Sequence, residues 1–189
     1  MAEETIQMVT EQNERLSKLV RTLLDMSELQ TVSRNDRIEL HSLIEEVLTD
    51  LEPLAQEKKV ELIQKSQGTG AKADEELFLT GSDILIYRML YNLVENAIKY
   101  NHSGGQVTVT AYQKEKHVYL SVEDTGNGIP EKLRERVFEP FFRVDKSRSR
   151  ELGGVGLGLA LVHEIVRVHD GSITVKPSPS GGTIFDVIF

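Results

Sequence analysis

Val9, Leu16 and Leu23 recur every seven residues, with Asn13, Leu19, Val20 and Met26 between them, and predict one helix over residues 3–31 with a coiled-coil-like seam. Glu11, Glu14, Arg15 and Lys18 lie largely elsewhere on that helix. One helix cannot bury such a seam alone, so it wants a partner helix; packing on the chain's own domain is the alternative. A short polar linker, Thr31 to Asp36, follows. Beyond it the pattern predicts a strand at 37–40 and an amphipathic helix at 42–58, N-capped by Ser42 or His41, with Glu45 at N3 if Ser42 caps. Strands at 59–64 and 77–80 flank a glycine-rich turn at 68–70. Two alternating strands at 105–112 and 117–123 are joined by a hairpin loop, Gln113 to Lys116. Residues 138–155 have little periodicity and read as a mobile loop, and a helix at 156–169 with strands at 171–176 and 182–188 closes the chain.

Between Gly81-Ser82-Asp83, a capping sequence, and Tyr100 runs a helix of a different kind. Leu85, Met89, Leu90, Leu93, Val94, Ala97 and Ile98 make a deep apolar face at helical spacing. The other face carries Asn92 and Asn96 at i and i+4, with Arg88, Glu95, Lys99 and Tyr100 beside them. Asparagine is a poor helix-interior residue, because its short side chain competes for backbone hydrogen bonds. Two on one face point to a ligand. Three glycine-bearing loops follow in order: Asp124-Thr-Gly-Asn-Gly128, Gly153-Gly-Val-Gly-Leu-Gly158 and Gly181-Gly-Thr183.

Composition narrows the ligand. The 189 residues suffice for one well-cored domain plus an appendage, with 39% hydrophobic and 28% charged residues. The absence of cysteine removes disulfide frameworks and thiolate metal sites. No apolar run approaches the roughly 20 residues that span a bilayer, and no signal peptide is visible. A net charge of −8 argues against broad nucleic-acid binding, yet Arg143, Lys146, Arg148 and Arg150 form a local basic cluster suited to a small polyanion. The loops match neither GxxxxGK[ST] nor GxGxxG, whose third glycine is replaced by Leu159. As a calcium loop, Asp124 to Glu135 fails because glycines occupy two ligand places and Ile129 replaces the required glycine. Asp124-Thr125-Gly126 matches half of a dimeric aspartic protease, an alternative that stays open here. Glycines in the first turn of the 156–169 helix cost roughly 1 kcal/mol each against alanine in a helix interior. That cost makes sense where backbone approaches a ligand or hinges, and a helix start offers free N–H groups to phosphate. Asp124, at a strand end, offers a carboxylate to an exocyclic amine such as adenine's.

The order Asn92-x-x-x-Asn96-Ala-x-Lys-Tyr100, Asp124-x-Gly-x-Gly128, Phe138-x-Pro-Phe-Phe-Arg143, Gly154-x-Gly-x-Gly158 and Gly182-Thr183 resembles the N, G1, F, G2 and final Gly-Thr boxes of bacterial sensor histidine kinases. These belong to the gyrase–Hsp90–histidine kinase–MutL (GHKL) type of ATP-binding domain. The resemblance covers residues 38–189 as the catalytic ATP-binding domain, with 32–37 as linker. Residues 1–31 resemble part of the dimerisation and phosphoacceptor hairpin, namely its second helix. It implies an α+β fold, a two-layer sandwich with a mixed sheet of about five strands covered by three helices. It further implies that Asn96 holds Mg2+ against the ATP phosphates with Asn92 in support, while Lys99 and Arg143 neutralise phosphate charge. Tyr100 would cover the adenine and Asp124 would read its amine, with Gly126, Gly128, Ile129 and Thr183 around it. Gly154, Val155, Gly156, Leu157 and Gly158 would approach the nucleotide. Residues 139–155 would form a lid hinged at Gly153 and Gly154 and anchored by Phe138, Phe141 and Phe142. Arg148 and Arg150 would be phosphate contacts or solvated lid charges.

ATP-hydrolysing members of the superfamily carry Glu four residues before the Mg2+ asparagine. Asn92 stands there and cannot act as a general base, so the resemblance implies phosphoryl transfer to a protein instead. Asn92, Asn96 and Arg143 would be the catalytic residues. The acceptor motif, His followed by an acidic residue, is absent: His41, His102, His117, His163 and His169 all lie in other contexts, and His169 at a helix end fits the dipole. The expected partners are therefore a phosphoacceptor helix outside this chain, a second copy and a response regulator. The expected setting is the cytosolic portion of a sensor anchored in a membrane through other segments. An ATP-binding switch module or ATPase is the alternative.

Overall fold

The computed structural model describes residues 2–66, 76–144 and 155–189; the side chains of residues 2–5, 7, 8, 11, 14, 15, 18 and 25 fall outside that description. Helix α1 spans Ala2–Glu28. It stops three residues short of the expected end, where the Thr31 N–H and hydroxyl both donate to the Glu28 carbonyl and turn the chain. Strand β1 is Asp36–Glu39 and runs directly into α2, Leu40–Lys58. Neither Ser42 nor His41 caps α2. Glu39 does, its carboxylate accepting from the N–H groups of His41 and Ser42. Burial pushes the Glu39 carboxyl up, but bonds from Ser42, His41 and Leu77 outweigh it and bring the pKa down to about 2. Lys59 ends α2 in the left-handed region at φ 56°, which delays β2 to Glu61–Ser66.

Strand β3 is Phe78–Gly81 and pairs antiparallel with β1 in a small two-stranded sheet that the apolar pattern does not announce. Helix α3 is Asp83–Lys99. Strands β4, Gln106–Lys114, and β5, His117–Asp124, pair through Lys114 opposite His117, so the connection is only Glu115 and Lys116, with Glu115 at positive φ. Two short 3-10 turns, Glu131–Leu133 and Arg136–Phe138, precede the last helix, α4, at Gly158–Val168. Strands β6, Ser172–Pro177, and β7, Thr183–Ile188, complete a five-stranded sheet of order β2-β4-β5-β7-β6. Only β2 and β4 run parallel, so the sheet is mixed, as expected.

Alternation decides the layers. Val107, Val109 and Ala111 of β4, Val118, Leu120 and Val122 of β5, and Phe185 and Val187 of β7 point into one core with α2, α3 and α4. Within α3, Leu85, Ile86, Met89, Leu90, Leu93, Val94, Ala97 and Ile98 are all buried. Each large side chain buried in this way contributes about 1.5–3 kcal/mol. Leu29, just past α1, belongs to the same core. Of the α1 seam, Met26 packs against that core and Leu19 is part-buried, while Ile6, Val9, Leu16, Val20, Leu23 and Leu24 stay exposed.

The start of α3 borrows its caps. The Ser82 side chain makes no cap bond. Instead the Ser82 N–H donates to His169 Nε2 at 2.9 Å, and the Asp83 N–H donates to Asp36 Oδ2 at 3.1 Å. The other His169 nitrogen lies 2.8 Å from the Ile165 carbonyl, so the ring bridges donor and acceptor as a neutral tautomer. Burial lowers its pKa. His169 is thus a neutral strut and not the cation a helix C-terminus would favour. Gly81 makes room for it, since a Cβ there would lie 2.9 Å from the ring.

Candidate nucleotide site

Two clusters form along α3. In the first, the Asn92 Nδ2 donates to the Arg88 carbonyl one turn back at 2.8 Å, which turns its Oδ1 outward. Gly158, the first residue of α4, sits against that oxygen: a Cβ there would lie 2.9 Å from Asn92 Oδ1 and 3.9 Å from Asn96 Nδ2. Any side chain at 158 would fill the space the two amides share. Lys99 pairs with Glu95 at 2.7 Å, both under one-fifth exposed, so Glu95 orients the lysine and is not a free surface charge. The N-cap of α4, Leu157, provides no side-chain cap and is buried.

The glycines before α4 behave differently from the expectation. Gly156 lies outside the helix at φ 79°, so the 156–169 helix begins two residues late, and only Gly158 stands in its first turn. A Cβ on Gly156 would press on the Phe141 and Phe142 backbone at 2.8–3.0 Å, and the Phe141 N–H donates to the Gly156 carbonyl at 2.7 Å. Glycine is there because backbone meets backbone at positive φ. Of the three phenylalanines expected to anchor a lid, Phe138 meets His163 at a tilt and Phe185 edge-on, and Phe142 lies under Arg136. Phe141 is 58% exposed as a residue and is held through its main chain instead. Arg143 and Val155 are part-buried at the two edges of the segment. Gly153, Gly154, Lys146, Arg148 and Arg150 lie outside the described residues.

The second cluster surrounds Asp124 at the end of β5. Its Oδ1 accepts from the N–H groups of Gly126 at 2.8 Å and Thr183 at 3.3 Å. Burial raises its pKa, the two N–H bonds pull it back, and Glu123 adds a further rise. Gly182 packs so tightly on Asp124 that a Cβ would collide with its carbonyl oxygen and Oδ1, and a Cβ on Gly126 would lie 2.6 Å from the Tyr100 carbonyl. That carbonyl also accepts from Asn127 Nδ2 at 2.9 Å, which ties the Asp124–Gly128 loop to the end of α3. Gly128 turns at φ 69° beside Gly181, and Ile129 packs on the core. Asn127 was not singled out from the sequence, since an asparagine between two glycines reads as turn chemistry. Among the described residues no group of three His, Asp or Glu side chains could hold a metal ion. Nor, among them, is any helix long and apolar enough to cross a membrane.

These features have counterparts in known proteins. Residues 81–189 match the family model described as histidine kinase-, DNA gyrase B-, and HSP90-like ATPase. Sensor histidine kinase RppB of Synechocystis sp. is 34% identical over 182 residues, 95% of this chain and 39% of the relative. Sensor histidine kinase WalK of Bacillus subtilis is 35% identical over 93% of this chain and 29% of its own length. The chain thus spans well under half of these relatives. Among solved structures, a nucleotide-free catalytic domain of histidine kinase ThkA superposes with a TM-score of 0.70 at 26% identity, covering 82% of this chain and 93% of that one. The chain belongs to the histidine kinase-, DNA gyrase B- and HSP90-like ATPase family and carries that family's ATP-binding domain.

Proposed function

We propose that this chain binds Mg-ATP and transfers the γ-phosphoryl group to a histidine on a helix outside it, as the catalytic part of a two-component sensor kinase. The observation that carries this reading is the asparagine pair facing Gly158. Asn92 occupies the place where hydrolysing relatives would need a base, and its amide nitrogen is already committed to the Arg88 carbonyl. An amide cannot take a proton from water, so the site is built to position phosphates and leaves water unactivated. The dimeric aspartic-protease reading of Asp124 falls with the family membership.

The donor set fits Mg2+, which favours oxygen ligands and keeps several waters, so one amide oxygen beside phosphate oxygens suffices. In this reading Asn96 holds the ion and Asn92 supports it. Bound Mg2+ would neutralise charge on the β- and γ-phosphates. Lys99, steered by Glu95, and Arg143 would add positive charge at the phosphates, and the open start of α4 would offer N–H groups to them. Asp124, fixed by Gly126 and Thr183, would accept the adenine amine, and Tyr100 would cover the ring. Val155 to Gly158 would line the phosphates with backbone. The exposed α1 seam would join a phosphoacceptor helix and a second copy. A response regulator would then take the phosphoryl group, and a membrane anchor would lie in segments outside this chain.

The test mixes this chain and γ-labelled Mg-ATP with a longer form that carries the acceptor helix and is disabled by Asn96→Asp. Acid-labile label on the longer form is expected. Sustained release of free phosphate with no labelled protein would overturn the transfer reading in favour of an ATPase or switch module.

A further inference from the structure

The turn between β6 and β7 is closed by a side chain for which the nucleotide site has so far required no role. Ser178 is 6% exposed, one of few buried polar residues among the described residues. Its N–H donates to the Gly182 carbonyl and its own carbonyl accepts from the Gly181 N–H, both at 3.0 Å. Its hydroxyl accepts from the Ser180 N–H at 3.0 Å and donates to Glu123 Oε1 at 2.6 Å. A serine oxygen taking the N–H two residues on fixes a tight turn, and the bond to a carboxylate is among the stronger kinds. The turn therefore has one shape, held by Glu123.

Glu123 and Asp124 are neighbours on β5 and point to opposite faces of the sheet. On the far face, Glu123 grips the turn through Ser178. On the near face, the same turn presses Gly182 onto Asp124 and aims the Thr183 N–H at its Oδ1. The latch and the carboxylate are thus two ends of one short mechanical connection. Removing the Ser178 hydroxyl leaves the Ser180 N–H without its acceptor and a part-buried carboxylate without its donor, so the turn must rearrange to satisfy them.

We propose that Ser178 and Glu123 are positioning residues for base recognition: acting from the far face of the sheet, they fix the 178–182 turn against Asp124 and thereby set the preference for adenine over guanine nucleotides. This rests on the reading of Asp124 as the carboxylate that meets the adenine amine. Neither residue touches the nucleotide; both act through Gly182 and Thr183.

The experiment titrates Mg-ATP and Mg-GTP calorimetrically into the parent chain, Ser178→Ala, Glu123→Ala and Glu123→Gln, with a thermal melt of each. Ser178→Ala and Glu123→Ala should lose roughly three- to tenfold in ATP affinity, the range of one hydrogen bond, while GTP affinity holds, so the ATP-over-GTP ratio falls. Glu123→Gln keeps an oxygen that accepts the hydroxyl and should recover most of that ratio. A lower melting temperature with an unchanged ratio in Ser178→Ala would reduce the latch to a structural role and overturn the proposal. So would a Glu123→Gln protein as unselective as Glu123→Ala. A parent chain that binds no ATP would instead sink the nucleotide-site reading, and the latch with it.

Discussion

Helices α1 and α3 carry similar apolar stripes and treat them in opposite ways. The stripe of α3, from Leu85 to Ile98, is at most 4% exposed, whereas Ile6, Val9, Leu16, Val20, Leu23 and Leu24 of α1 are 45–66% exposed. Helix α3 lies against β4, β5, α2 and α4, and its stripe completes the core. Helix α1 reaches the domain near α4, through Met26 and through Leu29 just beyond its end. Periodicity alone says that a face must be covered. It does not say by what, and the chain itself covers the stripe of α3 far more completely than that of α1.

The sharpest way to break this contrast is to truncate one leucine in each stripe. Leu93→Ala should cost about 2–5 kcal/mol, because the cavity it leaves is surrounded by fixed neighbours. Leu16→Ala should stay within about 0.5 kcal/mol in urea unfolding of the same chain, as an exposed position does. Leu16→Glu should nevertheless weaken any self-association seen by sedimentation. A Leu16→Ala loss as large as that of Leu93→Ala would mean the seam is already buried, and the contrast would fail.

Asparagines test the polar faces in the same way. Asn96→Ala should abolish Mg-dependent ATP binding, while Asn13→Ala, in the α1 seam, should leave it intact. Wild-type affinity in Asn96→Ala would sink the metal assignment. A smaller effect is expected from Asp124→Asn: roughly tenfold weaker ATP binding, the scale of one charge-assisted hydrogen bond, with the preference over GTP reduced. An unchanged preference would remove Asp124 from base recognition.

Much of this contrast was legible in the sequence. The α3 stripe, the alternation of β4 and β5 and the order of the loops follow from local periodicity and motif spacing, which need no knowledge of partners; the mixed five-stranded sheet follows only from the family resemblance that those motifs carry. What was not legible comes from contacts between distant residues. The β1–β3 pair joins strands of four residues each, too short to show alternation. Glu39 caps α2 because the strand ends one residue before the helix begins, a geometry that leaves Ser42 already inside it. Gly156 was placed in a helix because nothing local reveals the Phe141 main chain pressed against it. Ser178 carried no signal at all, since a serine between two prolines, shortly before glycines, reads as an ordinary turn.

The smallest effect concerns how α3 begins. The Ser82 N–H depends on a neutral His169, whose ring is held between that donor and the Ile165 carbonyl. Burial lowers the pKa of His169 and Arg34 acts in the same sense, while the bond to Ile165 and the charge of Asp170 oppose them. Asp36 and Asp83 are the acidic residues at the adjoining helix start. A histidine depressed in the folded state binds fewer protons than in the unfolded chain. Its contribution is therefore complete above the ordinary value of about 6.5 and is lost as pH falls through the folded value. Glu39, lowered to about 2, keeps its contribution until the pH drops below the ordinary carboxylate value of about 4.3. Between about pH 7 and pH 5.5 the two are thus separable. The melting temperature should fall by roughly 2–4 °C over that interval through loss of one hydrogen bond. His169→Gln, which can still accept from Ser82 and does not titrate, should flatten that dependence. A parent chain whose melting temperature is the same at both pH values would show that the Ser82–His169 bond does not hold the start of α3.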